Sequence, residues 1–446
     1  MDLFNVMSFV RRVTLIFVFL AAVYVGIVFL IITHSYLNDK FNSRNPVVYK
    51  PQSGSLPFAI TTNYWTQSSV NTSFFAAYFD DRQKPQLLLI GAHRGRQHSL
   101  FCQVFYDIGE KACLPITVKH YTGDKSVDHV DFHPYRYICL LQRKIAPVFV
   151  LVFADQECTV TWGNQTLIPV ASERPKNRKR FGLCVGSPVF RRTNVEEIVH
   201  VIEGNRVLGS EWFTIYIQDT AVDTVRALKS VYEELGQGEV IDTWASEGEP
   251  SPWFYNGQIL ALNDCLYRNM FRVQYLVTTD LDELIVPERS LSWHKMMAEI
   301  DVSGEYGAFR FRHRTYVPSN EFQISTLVSA NVSQCSDGRV LTVPRCLEYN
   351  KKATPILPSK RRCKHILKPT FVNSIGIHHV SEFHVGKLRF LLVPIEIGLL
   401  RHYRRRRAYK SDAPHIYDPS ANGMAEELMR YVHGLLCDKM RGFYER

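Results

Sequence analysis

Residues 211–245 read EWFTIYIQDTAVDTVRALKSVYEELGQGEVIDTWA, and the expected fold class turns on this stretch. Glu211–Asp219 is apolar and rich in aromatic and β-branched residues, the composition of a buried strand. At Ala221–Gly236 the period changes. Val222, Val225, Leu228, Tyr232 and Leu235 share one helical face, and Gly236 supplies a stop. Glu239–Ala245 reads as a strand again. Working outward, Gly182–Phe190 (GLCVGSPVF) predicts an earlier strand and Val195–Leu208 a helix. Downstream, Gln258–Arg272 predicts another helix and Val273–Asp280 (VQYLVTTD) a fourth strand. Strands alternating with helices imply a mostly parallel α/β sheet, in which ligands bind beyond the carboxyl ends of the strands. Asp219, Trp244 and Asp280 fall near such ends.

Upstream, Ser73–Val170 carries short apolar runs separated by turn residues, among them SFFAAYF, PQLLLIG, YRYICLL and APVFVLVF. This spacing predicts a small all-β domain, an antiparallel sandwich with the immunoglobulin type as one form of it. Such a domain serves either as a carbohydrate- or partner-binding module or, the favoured reading, as a spacer packed on the next domain. The polar and basic stretch ASERPKNRKR (171–180) marks the boundary between the two.

The N-terminal region sets the expected compartment. Val13–Thr33 holds 21 residues without a charge, a length that spans about 30 Å as a helix and matches a bilayer's hydrocarbon. It exceeds the apolar region of a cleaved signal peptide and lacks a small-residue cleavage site after it. Arg11 and Arg12 precede it, which favours a cytoplasmic N-terminus. The expected organisation is therefore a cytoplasmic tail (1–12), a signal anchor (13–33), a stem (34–72), the β-rich domain (73–175) and a catalytic domain (181–446). Three glycosylation sequons, at Asn71, Asn164 and Asn331, and ten cysteines lie after the anchor, as suits a lumenal body with structural disulfides.

Composition excludes little else. The chain has 446 residues, 46% hydrophobic and 22% charged, which rules out a mainly disordered or collagen-like protein. Its formal charge of +10 is concentrated in three runs, Lys176–Arg180, Lys360–Lys364 and Arg401–Arg407. Nucleic acid is a weak reading for basic runs in a lumenal domain.

The sharpest chemical signal is Asp280-Leu281-Asp282-Glu283, directly after an apolar strand. Three carboxylates in four residues repel one another unless a cation or hydrogen bonds compensate. Carboxylate oxygens suit Mg²⁺ and Mn²⁺, and a bound diphosphate can complete the coordination shell. The cation then assists departure of a nucleoside diphosphate. The alternative is an acidic turn that caps the strand. A haloacid-dehalogenase phosphatase also opens on Asp-x-Asp, but Leu284 stands where that chemistry normally has Thr or Val.

These blocks, taken in order, resemble glycosyltransferase family 92. The resemblance is carried by LCVGSPVF, EWFTIYIQD, VRALKSVYEELGQGEVIDTW, GQILALNDCLYRN (Gly257–Asn269), DLDELIVP, GIHHV (Gly376–Val380) and LRHYRRR (Leu400–Arg406), over most of residues 182–410. It implies a GT-A fold of Rossmann-like type, a nucleotide-sugar donor, usually UDP-galactose, a divalent cation, and a Golgi type II membrane topology. It also implies metal ligation by Asp280 and Asp282, with Glu283 orienting them or touching the acceptor. His379 is a candidate third ligand and His402 its competitor. Asp264 could hold a donor hydroxyl with Arg268 one turn on, or be a satisfied buried helix contact. Asp219 is a candidate for the ribose or base. Arg404, in the third basic run, is a candidate for the diphosphate, against a solvated face. Trp253, Phe254 and Tyr255 could stack on an acceptor sugar or belong to the core. An inverting displacement needs a carboxylate base, for which Glu283 and Glu382 are the candidates. The function expected is metal-assisted hexosyl transfer, galactosyl by the resemblance, to a glycan hydroxyl. The alternative is a non-catalytic, membrane-anchored glycan-binding protein on a transferase fold.

Overall fold

The computed structural model describes residues 66–67 and 72–440, apart from 95–98, 108–110, 122–131, 159–166, 187–193, 219, 243–256, 319–327, 359–360, 385–388 and 405–413. Among the described residues no helix is long and apolar enough to cross a membrane. The expected anchor at Val13–Thr33 lies outside them, as do Asn71, Asn164, Asp219 and Trp253–Tyr255.

The first sheet comprises β1 (Thr66–Gln67), β2 (Thr72–Asp80), β3 (Gln86–Arg94), β4 (Phe101–Phe105), β5 (Lys111–His120), β6 (Phe132–Leu140), β7 (Phe149–Phe153) and β8 (Ile168–Ala171). Its order is β1-β2-β3-β6-β5-β4-β7-β8, and β8 pairs back onto β2 in parallel, Ala77 opposite Val170. That pairing closes seven strands into a barrel, with β1 added at its edge. Closure removes the open edges that a two-sheet sandwich would leave. The interior is filled by Phe74, Ala77, Phe79, Leu87, Leu89, Val104 and Val150. Phe75, Ala76, Tyr78, Leu88 and Ile90 instead pack outward against the helix Gln258–Arg268. Both faces of β2 are thus buried, which is why SFFAAYF is continuously apolar. Disulfides Cys102–Cys139 and Cys113–Cys158 staple β4 to β6 and β5 to the turn after β7.

The second sheet comprises β9 (Lys179–Val185), β10 (Trp212–Tyr216), β11 (Gly238–Ile241), β12 (Val273–Thr279), β14 (Tyr306–Phe311), β17 (Lys364–Leu367) and β20 (Arg389–Leu392). In the order β11-β10-β9-β12-β17-β14-β20, the first four strands are parallel and β17 runs antiparallel to both neighbours. A third sheet holds β13 (Glu283–Pro287), β21 (Gly398–Tyr403), β15 (His313–Val317), β16 (Lys351–Ala353) and β22 (His415–Tyr417), in that order. Strands β18 (Val372–Ile375) and β19 (Val380–Phe383) pair as a separate antiparallel ribbon.

The expected Rossmann-like α/β GT-A domain behind a small sandwich is corrected by this topology. The described protein is strand-dominated. Only β9 to β12 alternate with helices. The rest of the second sheet is antiparallel or mixed, and the β-rich region is a closed barrel. Local elements nevertheless follow the local sequence. Helix Val195–Leu208 starts where Asn194 Oδ1 accepts from the Glu197 N–H at 2.7 Å, and it ends at Gly209 with φ +130°. The amphipathic stretch after Ala221 forms a helix, Val222–Leu228, that widens into a π turn at Lys229–Glu233 and stops before Gly236, φ +64°.

Barrel and parallel strands share one core through the helix Gln258–Arg268. Disulfide Cys184–Cys265 ties that helix to β9, and Cys335–Cys437 joins two C-terminal segments. The two remaining cysteines, Cys346 and Cys363, are buried and form no disulfide.

Candidate active site

Strand β12 delivers the acidic turn. Its neighbour β9 ends beside it, where the Gly186 N–H donates to the Thr279 carbonyl at 2.8 Å. A Cβ at Gly186 would lie 3.0 Å from Leu262 Cδ2 and 3.4 Å from Asp280 Oδ1, so the close approach requires a residue this small. The turn folds on itself. The Asp280 N–H donates to Glu283 Oε2, and the Glu283 N–H to the Asp280 carbonyl, both at 3.2 Å.

Each carboxylate then has a different environment. Asp280 accepts from Gln258 Nε2 at Oδ1 and from Lys364 Nζ at Oδ2, both at 2.9 Å. Lys364 opens β17, whose antiparallel pairing with β12 sets Thr278 opposite His365 and brings the ammonium to the strand end. Glu283 is buried, with Lys364 Nζ 3.6 Å from its Oε2. Burial pushes its carboxyl up to about 7, against the lowering effect of Lys364 and with the Asp280 charge adding to the rise. Asp282 is the most accessible of the three, its side chain 34% exposed, and its Oδ2 lies 2.8 Å from His402 Nε2.

His402 is placed by sheet register. Strands β13 and β21 pair antiparallel with Glu283 opposite His402, and β15 runs parallel to β21 on its other side. His402 Nδ1 therefore faces His313 Nε2 at 2.7 Å and Glu283 Oε1 at 3.6 Å. Burial, with His402, Arg362 and Arg404 nearby, pulls His313 down to about 3, so its imidazole is neutral. Arg404 Nε reaches His402 Nε2 at 3.2 Å.

These groups open onto a cavity of about 470 Å³ lined by Asp280, Asp282, Glu283, His402 and Arg404 and also by Glu197, His200 and Arg345. The donor set suits a divalent cation. A carboxylate and an imidazole nitrogen 2.8 Å apart, facing the cavity, are ligands that Mn²⁺ accepts. His402 Nδ1 meets buried partners of the kind that orient a metal-bound histidine.

Other expected residues lie elsewhere. His379 hydrogen-bonds Ser381 Oγ through Nε2 at 3.1 Å and is not among the cavity's lining; of the two histidines weighed, His402 stands beside Asp282. Asp264 is fully buried, accepting from Tyr78 Oη at 2.5 Å, Tyr216 Oη at 2.6 Å and Arg268 Nε at 2.9 Å. That is the satisfied helix contact, and it fastens the barrel to the parallel strands. Arg268 is buried with it and reaches Glu239 at 3.4 Å. Glu382 pairs with Arg136 and Asn373 outside the cavity lining, and although burial opposes it, these partners hold its carboxyl below the usual range. Asn331 lies in the short helix Ala330–Ser333. Arg404 lines the cavity, Arg401 is buried and donates to Glu288 at 2.8 Å, and Arg405–Arg407 lie outside the described residues.

Sequence reasoning missed His313, Lys364, His200 and Arg345. Lys364 carried no signal of its own, since KHIL is two polar residues followed by two apolar ones and Lys364 reads as the tail of a basic run. His313 had none of its own, because only strand pairing brings it to His402.

The family model for glycosyltransferase family 92 matches residues 179–433, more than half of the chain. The chain is also 28% identical over 205 residues to a protein of Caenorhabditis elegans named beta-1,4-galactosyltransferase galt-1. The match covers 46% of this chain and 43% of that relative, so the chain spans less than half the relative's length. The chain belongs to glycosyltransferase family 92.

Proposed function

We propose that this protein transfers galactose from UDP-galactose to a hydroxyl of a glycoprotein or glycolipid glycan, with a divalent cation, Mn²⁺ by preference, at Asp282 and His402. The observation that carries this reading is the acidic turn at the carboxyl end of β12, with Asp282 Oδ2 and His402 Nε2 2.8 Å apart on the cavity wall. Bound there, a cation would offset charge on the departing diphosphate. The name of the C. elegans relative supports the choice of sugar.

The chain's own residues supply the rest. Arg404 and Arg345 both line the cavity, and guanidinium forks match phosphate oxygens. Asp280, held by Gln258 and Lys364, fixes the turn that presents Asp282. Of the two candidate bases for an inverting displacement, Glu283 is the one supported. It lines the cavity, and a carboxyl raised to about 7 is matched to proton transfer near neutrality. Four disulfides support residence of this body in an oxidising lumen, which we place in the Golgi.

The test is a transfer assay of the purified chain with a panel of UDP-sugars, a glycan array and Mn²⁺. Galactosyl transfer is expected to dominate. Transfer of another sugar would reassign the donor. Glycan binding without transfer of any sugar would make the protein a binder.

A further inference from the structure

The acidic turn carries its own counter-cation. Lys364 Nζ sits 2.9 Å from Asp280 Oδ2 and 3.6 Å from Glu283 Oε2, and its side chain is only 1% exposed. Burial alone would favour the neutral amine, but Asp280 and Glu283 more than reverse that and hold it as an ammonium.

Asp280 and Glu283 therefore have a shared counter-charge and hydrogen-bond donors without a metal. Both oxygens of Asp280 have donors, Gln258 at Oδ1 and Lys364 at Oδ2. Glu283 directs Oε2 to the Asp280 N–H and Lys364, and Oε1 toward His402. Asp282 and His402 Nε2 remain as the pair that faces the cavity. Two protein ligands are few for a cation that takes about six, and it is repelled by two positive charges, Arg404 at 3.2 Å from His402 Nε2 and Lys364 on the other two carboxylates of the turn. Diphosphate oxygens would add ligands and negative charge together.

We propose that Lys364 is a positioning residue that keeps the site weak for a bare divalent cation, so that the cation is taken up together with the nucleoside diphosphate. The inference rests on the metal-assisted reading above and deepens it. Lys364 sets the order of assembly: it preserves the folded acidic turn before substrate arrives, and it makes cation affinity depend on donor.

Binding of Mn²⁺ to the purified full chain, followed by the electron paramagnetic resonance of the free ion, tests this without reference to turnover. UDP is the probe, and complexation by UDP alone is subtracted. The wild-type chain is expected to bind Mn²⁺ about 100-fold more tightly with UDP than without. Lys364→Met should raise donor-free affinity at least about tenfold, while Lys364→Arg, which keeps the charge, should stay near wild type. Thermal melts establish that each variant is folded. If Lys364→Met does not fold, the wild-type comparison with and without UDP decides. Mn²⁺ binding that UDP does not tighten, or a folded Lys364→Met variant with unchanged or weaker affinity, overturns the role of Lys364 and leaves the metal reading standing. No Mn²⁺ binding under any condition overturns both.

Discussion

Replacing Asp264 by Asn separates two roles that a buried carboxylate near a sugar-nucleotide site could have. In the structure Asp264 has no exposed surface and three donors: Tyr78 from the barrel, Tyr216 from β10 and Arg268 from its own helix. The substitution keeps the size but leaves the Arg268 guanidinium, 2% exposed, with only the 3.4 Å contact to Glu239 as an ionic partner. Breaking a buried pair in this way costs about 3–5 kcal/mol, because one charge stays buried and uncompensated. Against a typical stability of about 5–15 kcal/mol, that is a large fraction. Urea denaturation followed by circular dichroism should show the midpoint falling sharply, and Tyr78→Phe should lose a smaller increment of about 1–2 kcal/mol. Donor KM at a temperature where the variant is folded should stay within about twofold, since Asp264 does not line the cavity. A variant of near-wild-type stability whose donor KM rises tenfold would refute the structural role and return Asp264 to the sugar nucleotide.

Further outcomes concern pH and compartment. Burial, with Arg345 nearby, lowers His200 to about 4, and burial with Arg310 beside it holds His365 well below the ordinary value. The unfolded chain protonates both near 6.5, so their contribution is present above pH 6.5 and declines below it, that of His200 being lost as pH falls through about 4. His200 alone should account for about 3 kcal/mol of that loss, readable from urea midpoints measured between pH 7 and pH 4, and His200→Gln should flatten the profile. The readout is the difference between the two proteins, because Glu283, raised to about 7, shifts total stability the opposite way; a difference that does not change over that interval would contradict the burial of His200. Expression in cells should yield a product whose apparent mass drops on glycosidase treatment, as a lumenal body bearing sequons at Asn71, Asn164 and Asn331 requires. An unchanged mass with the chain accessible to cytosolic reagents would overturn the lumenal assignment.

Much of the local structure was legible because it is set by local chemistry. Asn194 and Gly209 bound the helix Val195–Leu208 where the sequence places them. The acidic turn follows β12 as the apolar run VQYLVTT predicts. What was not legible depends on pairing between distant segments. The short runs after Ser73 fit a sandwich as well as a barrel, and only the contact of β8 with β2, some ninety residues apart, decides for closure. The site divides the same way. Asp280, Asp282 and Glu283 are contiguous and visible. His402 was one of two histidines weighed, and the choice depends on the β13–β21 register. His313 and Lys364 reach the acidic turn from β15 and β17, so nothing in their immediate neighbours announces them.

The central claim is that the acidic turn and His402 form the working site of a metal-assisted transferase. Galactosyl transfer by Asp282→Asn, measured against wild type with Mn²⁺ present and then chelated, tests it most directly. The substitution removes the charge beside His402 Nε2 while leaving the Lys364–Asp280 pair in place, so the fold should persist in a thermal melt. Loss of one preorganised electrostatic contribution of about 3–4 kcal/mol should slow transfer by roughly 10²–10³-fold, and chelation should abolish wild-type transfer reversibly. A folded Asp282→Asn variant that transfers at a near-normal rate and resists chelation would contradict the account.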